Sequence, residues 1–480
     1  MSQISRRDLL AASAAFANIT VLPASVLGRG AKAPSDRMNI AVIGTGGRGA
    51  VNLSNLTEEN IVALCDVDWR TDLRAQFPAV KVAADYSKAK RFTDYRKMLQ
   101  EMDKSIDAVV VACPDHTHAR ATLMSMKMGK HVYCEKPMAH SLPEVDAMLA
   151  GSKKYKVTTQ TGHQGHSSDD VRSIVEWVRA GVIGTVTEVH LFEGTGQRRR
   201  PNPARVGAVN WNVPSDYSKI LESEIPVPPE LDWDLWLGPA PQRRYNPIYL
   251  PLSWRRWIDF GTGVLGDFTC HYMDPILWAL DLGLPDTIDT ETDPEYDPKT
   301  NTQTFPMNVI VHFGFPARGK RPPVVVHWYG NSEKRPPMPP GWKATDKLPD
   351  ETGGGMIFGS QGSILFGKVF HSKPDAPTPG VVRLFPDELE RSFKRPERTI
   401  PRNKGHWAEW MECAKAGGKP ASAGFSYSSV LTKIALFGNV AIRNKGKTMR
   451  LDVKKERFLN DAAANQMLRP PYRPEWPLVV

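Results

Sequence analysis

Met38-Asn39-Ile40-Ala41-Val42-Ile43-Gly44-Thr45-Gly46-Gly47-Arg48-Gly49 is the stretch on which the reading turns. A short apolar run ends in G-x-G-x-x-G, the pattern of a strand that feeds a tight turn and then a helix. Gly44 permits the turn, Gly46 lets backbone amides approach a pyrophosphate, and Gly49 allows close packing of helix on strand. Apolar Val51, Leu53 and Leu56 carry the helix onward, and Ile61 to Leu64 reads as the next strand, closing on Cys65-Asp66. Asp66 follows Gly49 at close to the ~20-residue spacing of a carboxylate that accepts from ribose hydroxyls. Such a carboxylate repels a 2′-phosphate and so favours NAD over NADP, although Arg70 can offset the repulsion and keeps NADP open. Gly44, Thr45, Gly46, Gly47, Arg48, Gly49 and Asp66 are the expected dinucleotide contacts.

Downstream the alternation of strand and helix continues. Ile106 to Ala112, His131 to Cys134 and Val157 to Thr161 read as strands, and Thr117 to Met128 and Leu142 to Tyr155 as helices. This predicts an α/β fold, a Rossmann doubly wound parallel sheet whose ligand crevice lies outside the carboxyl ends of its strands. Beyond it, Val171 to Ala180 is an amphipathic helix. Thr185 to Phe192, Val309 to Phe313, Val324 to Trp328, Met356 to Phe358 and Ile364 to Phe366 then form the strands of a mainly antiparallel open sheet in a C-terminal α+β domain. Helices near His406 to Lys415 and Ser428 to Ile442 complete it. The expected division is a leader at 1–33, a nucleotide-binding domain at 38–162, an α+β domain at 163–455 with an insertion at 197–261, and a tail at 456–480.

Two strand ends carry chemistry-bearing residues: Cys113-Pro114-Asp115-His116-Thr117-His118 and Cys134-Glu135-Lys136-Pro137. Later, Gly261-Thr262-Gly263-Val264-Leu265-Gly266-Asp267 opens a helix on which Asp267 and His271, four apart, share a face. With these residues the chain resembles the glucose-fructose oxidoreductase, inositol dehydrogenase and MocA (Gfo/Idh/MocA) family, whose most recognisable mark is Glu-Lys-Pro at the end of the fifth strand. The resemblance spans nearly all of the chain after the leader. It implies an NAD(P)-dependent oxidoreductase acting on a hydroxyl-bearing carbon of a sugar, sugar acid or cyclic polyol, and by analogy a homo-oligomer. It also implies that Lys136, Asp267 and His271 surround the nicotinamide and the reacting carbon, with Pro114, Asp115, His118 and Glu135 near the cofactor. Asp115 stands where many relatives have Asn, and Gly162-His163-Gln164-Gly165-His166 stands where they often carry Gln and Arg.

Loss of a hydride from an alcohol requires loss of the hydroxyl proton, so such a site needs a base, and His271 or Lys136 can take that part. A lysine ammonium beside the same oxygen stabilises alkoxide charge, and Asp267 fixes the imidazole or binds a neighbouring hydroxyl. His163 and His166 are possible substrate contacts or loop residues without a role, and their spacing with His116 and His118 is not of zinc type, so no metal is expected. Two other readings stay open: a redox-neutral glycosidase or lyase working through transient ring oxidation, and a nucleotide-sensing regulator without catalysis.

The insertion is rich in Pro, Arg and Trp, including Trp211, Trp233, Trp236, Trp254 and Trp257. Most of these pack a structured loop, while Trp254 and Trp257 are placed to meet the apolar face of a sugar ring. A net charge of +10 over 480 residues would point to a polyanion if concentrated. The basic residues are scattered apart from Arg198-Arg199-Arg200, which argues against nucleic acid. Five cysteines without paired spacing read as buried thiols rather than a disulfide framework. Ser5-Arg6-Arg7-Asp8-Leu9-Leu10 and the weakly apolar stretch after it resemble a twin-arginine export signal, implying a periplasmic or otherwise extracytoplasmic protein that meets the export machinery. Export after folding calls for a tightly held nucleotide. After the leader no apolar run of about 18 residues is evident, so no membrane span is expected in the mature chain.

Overall fold

The computed structural model describes residues 36–71, 78–193, 217–332, 334–350, 353–369 and 373–480. The leader, Arg198 to Arg200 and Trp211 lie outside the described residues.

The apolar run after Met38 forms β1 (Asn39–Ile43), and the glycine turn opens α1 (Arg48–Ser54). Then follow β2 (Asn60–Cys65), α2 (Ala79–Asp85), β3 (Lys90–Phe92), α3 (Tyr95–Glu101), β4 (Ala108–Val111), α4 (His118–Lys127), β5 (His131–Cys134), α5 (Leu142–Tyr155) and β6 (Thr159–Thr161). All pairings are parallel, in the order β3-β2-β1-β4-β5-β6. The order reverses between β1 and β4, so the crevice at their carboxyl ends opens above the glycine turn. Ala108 to Val111 is fully buried, as a central strand covered on both faces requires.

A loop, Gly162–Ser168, leads into α6 (Asp169–Arg179), whose first turn is capped by the Ser168 hydroxyl accepting from Val171 N–H at 3.1 Å. The second layer is a nine-stranded sheet in the order β13-β12-β11-β7-β10-β9-β8-β14-β15. Its strands are β7 (Val186–Glu193), β8 (Thr287–Thr292), β9 (Val309–Phe315), β10 (Val324–Gly330), β11 (Gly353–Gly359), β12 (Ser363–Phe366), β13 (Val382–Phe385), β14 (Met449–Asp452) and β15 (Arg457–Phe458). It is antiparallel except for the parallel pair β7 and β10. The insertion supplies α7 (Trp233–Leu237), and α8 (Gly263–Leu280), α9 (His406–Lys415) and α10 (Phe425–Ile442) complete the helices used below.

Helix α8 packs on α6 and α10, and α10 packs on α5 of the first domain, so the two layers meet through helices. By length and mean hydropathy α10 is apolar enough to cross a membrane, but Ser, Thr, Lys and Asn interrupt its apolar residues and 83% of it is buried inside the molecule, as in a core helix.

Residues after β15 return to the nucleotide-binding domain. Arg120 Nε donates to the Trp476 carbonyl at 3.1 Å, Tyr472 Oη to Ser141 Oγ at 2.6 Å, and the Trp476 ring lies 6.4 Å from that of Tyr95.

Candidate functional site

Gly44 stands at φ 81°, donates its N–H to the Cys65 carbonyl at 2.9 Å, and would bring a Cβ within 2.6 Å of the Ala112 backbone. At Gly49 a Cβ would lie 1.9 Å from the Gly44 carbonyl oxygen, so only glycine lets α1 start this close to β1. Asp66 Oδ2 accepts from the N–H groups of Thr45 (2.8 Å) and Gly46 (3.1 Å), and Oδ1 from that of Asp68 (3.1 Å). Burial outweighs these hydrogen bonds and pushes the Asp66 carboxyl up to about 6.

A cavity of about 420 Å³ runs from this turn towards the second domain. Gly44, Asp66, Tyr95, Pro114, Trp254 and Asp267 mark its course. The residues fit a dinucleotide: a side-chain-free backbone turn at one end, a carboxylate beside it, and a channel onward between apolar walls.

At the far end Asp267 lines the cavity from the first turns of α8, and Lys136, just past β5, meets it there; neither Lys136 nor His271 lines the cavity itself. Lys136 Nζ donates to Asp267 Oδ1 at 2.7 Å and to the Asp267 carbonyl at 2.7 Å. Arg255, from the insertion, donates Nε to the same Oδ1 at 3.1 Å. The two cations overcome burial and hold the Asp267 carboxyl far below the usual carboxylate range. His271, one turn along α8, is 7% exposed. Burial, then the fields of Lys136 and Arg48, lower its imidazole well below the ordinary value, so it stands neutral at pH 7. Lys136, Asp267 and His271 are thus brought together across the two domains.

Several expected cofactor contacts lie behind the cavity wall. Thr45 is fully buried, with Oγ1 donating to the Cys65 carbonyl at 3.3 Å. Glu135 accepts from Arg48 Nε (3.0 Å) and Asn52 Nδ2 (3.1 Å), tying β5 to α1. Asp115 accepts from Thr262 Oγ1 at 2.7 Å, and His118 spans the carbonyls of Cys113 (2.8 Å) and Pro137 (2.9 Å) with its two ring nitrogens. These four hold the loops that line the site, whereas Gly46, Gly47, Arg48 and Pro114 face the cavity.

Trp254 lines the cavity with the Arg255 guanidinium 4.3 Å from its ring centre, but Trp257 does not reach it. Trp257 is fully buried in a cluster with Tyr217 and Tyr249, which corrects its expected role as a substrate contact. His163 and His166 are likewise sealed, each 1% exposed, with His166 stacked on Trp278 at 4.1 Å and its Nδ1 donating to Asp274 Oδ1 at 2.9 Å. Neither lines the cavity, so the expectation of substrate contact is not met there either.

Arg255, Asp274 and Trp476 were not foreseen. Asp274 carried a signal, since it continues the Asp267 and His271 face by one further turn. Arg255 and Trp476 carried none, because they arrive from an irregular insertion and a tail.

Residues 38–163 match the model described as the oxidoreductase family, NAD-binding Rossmann fold, and residues 170–305 that of the oxidoreductase family, C-terminal alpha/beta domain. Myo-inositol 2-dehydrogenase of Thermotoga maritima is 30% identical over 167 residues, 35% of this chain and 47% of the relative. A glycosyl hydrolase family 109 protein of Stenotrophomonas maltophilia is 29% identical over 205 residues, 40% of this chain and 42% of the relative. The chain spans about half the length of the curated relatives it matches. Among solved structures, aldose-aldose oxidoreductase from Caulobacter crescentus superposes with a TM-score of 0.53 at 16% identity, covering 86% of this chain and 100% of that one. At that identity the likeness is one of fold.

Proposed function

From its membership of the Gfo/Idh/MocA oxidoreductase family, to which this chain belongs, we propose that the protein exchanges a hydride between a nicotinamide and a hydroxyl-bearing carbon of a sugar, sugar acid or cyclic polyol. The observation that carries this reading is Asp267, which lines a cavity that begins at the glycine turn and holds the Lys136 ammonium at 2.7 Å.

The nicotinamide, when bound, supplies the hydride acceptor or donor. Everything else falls to side chains. Asp267 stays ionised and, with its own carbonyl, aims the Lys136 ammonium. Lys136 then steadies negative charge on the substrate oxygen as its proton leaves. The neutral imidazole of His271 takes that proton, which a ring already protonated could not do. Trp254 offers an apolar face beside this centre, suited to the C–H side of a sugar ring. NAD is preferred over NADP because Asp66 opposes a 2′-phosphate; Arg70 pairs with Asp68 at 2.6 Å and is less available to bind one. Tight nucleotide retention, twin-arginine export to the periplasm and assembly into a homo-oligomer complete the proposal. Replacing Arg6 and Arg7 by Lys and fractionating cells tests the export step.

The decisive assay offers free sugars and cyclic polyols to purified protein with NAD and reads NADH. Net NADH production supports the proposal. Release of the aryl group from aryl glycosides offered in the same assay, without net NADH, would replace it by a redox-neutral glycosidase reading; one relative is named a glycosyl hydrolase family 109 protein.

A further inference from the structure

The loop after β6 sets His163 and His166 side by side, ring centres 5.4 Å apart, against Asp274 of α8. A carboxylate oxygen of Asp274 and one nitrogen of each imidazole lie within 4.8 Å of one another. All three side chains are about 1% exposed. Asp274 Oδ1 is shared by His166 Nδ1 at 2.9 Å and Tyr427 Oη at 2.6 Å, while His163 Nε2 stands 3.9 Å away. Asp274 Oδ2 and both ring nitrogens of His163 have no hydrogen-bond partner.

Buried polar atoms are nearly always partnered, and three orphans in one pocket call for a common cause. A simple ion pair accounts for His166 and one carboxylate oxygen and leaves the rest of the cluster unexplained. The geometry points to a divalent transition-metal site, with His163, His166 and Asp274 as ligands. Two imidazoles and one carboxylate suit zinc, ferrous or cobaltous ions, whereas magnesium and calcium prefer oxygen alone. The surroundings have the form of an outer shell: the Tyr427 hydroxyl donates to the carboxylate, and Trp278 stacks on His166 and excludes water. Three protein ligands leave a coordination position open. The site joins the loop that ends the nucleotide-binding sheet to the helix that carries Asp267 and His271, and it stands independently of the hydride-transfer reading.

A second group among the described residues, Glu188, His190 and His327, provides the control. It is half-open to solvent and its imidazoles are already hydrogen-bonded: His190 to Glu188 (2.7 Å) and Tyr329 (3.2 Å), and His327 to His312 (2.6 Å).

The test uses the full chain. After stripping with a chelator, the protein is titrated with Co²⁺ alone, reading bound metal by elemental analysis and coordination by visible absorption. One equivalent is expected, displaced by Zn²⁺, lost in His163→Gln and in Asp274→Asn, retained in Glu188→Gln, and weakened about 10- to 100-fold in Tyr427→Phe. If the buried variants do not fold, X-ray absorption of the zinc-loaded native chain decides: two imidazoles in a nitrogen and oxygen shell near ~2.0–2.1 Å support the site. Failure of the native chain to retain an equivalent, retention of it in folded His163→Gln, its loss in Glu188→Gln, or a shell without two imidazoles overturns it.

Discussion

Lys136 and Asp267 are each about one-tenth exposed, so their ion pair is partly shielded from water and neither charge is dispensable. In Lys136→Met the Asp267 carboxylate keeps Arg255, which preserves its ionised state while removing the ammonium beside the substrate oxygen. The expected outcome is a fall in kcat of about 10²- to 10³-fold, the scale for losing one stabilising donor, with NAD affinity unchanged by calorimetry. Asp66 makes a pH prediction. Its carboxyl is raised to about 6, so the neutral acid predominates below that pH and the charged acceptor for ribose hydroxyls is lost. NAD affinity should therefore weaken as pH falls from 7 to 5, with the inflection near 6, and Asp66→Asn should flatten the profile. His271, lowered by burial and neighbouring cations, places its own acidic limb in kcat well below the usual imidazole range, which separates the two effects. The identities of Lys136, Asp267 and His271 were legible because spacing and a family mark converged on them. Their ionisation was not, because it depends on Arg255 and Arg48 arriving from elsewhere in the chain.

Among the elements, the glycine turn and helix α8 were the most legible, since each carries a pattern over contiguous residues. Gly49→Ala tests the turn: the new Cβ would sit 1.9 Å from a backbone oxygen, so α1 must move off β1. Loss of NAD binding together with a lower Tm is expected, read by calorimetry and thermal denaturation. Strands β3, β8, β13, β14 and β15 carried no readable pattern: four of them run two to four residues at or near sheet edges, and Thr-Ile-Asp-Thr-Glu-Thr of β8 offers a single apolar side chain. The insertion separates packing from function in two tryptophans only three positions apart. Trp257→Ala should cost about 3–5 kcal/mol of stability by emptying a packed aromatic site. Trp254→Ala should lower the Tm as well, since this ring is 7% exposed in the same cluster, but it should in addition raise KM for the carbohydrate, which Trp257→Ala should not. Composition placed both near the cleft; only the turn at Ser253–Arg256 decides which ring faces it.

At the scale of the whole molecule, the two-layer architecture followed from the change of pattern after β6. Trp476 lines the cavity and packs beneath the Arg96 guanidinium, 4.3 Å from the ring centre. Trp476→Ala should raise the Kd for NAD several-fold and lower the Tm, whereas kcat at saturating NAD should hold. A fall in kcat with unchanged affinity would count against a cavity-wall role.

That late tryptophan has a bearing on biogenesis. Arg120 and the residue whose carbonyl it grips are 356 positions apart, so most of the polypeptide must leave the ribosome before the nucleotide chamber gains its last wall. A nascent chain that has not yet reached Trp476 offers a coenzyme an unfinished berth.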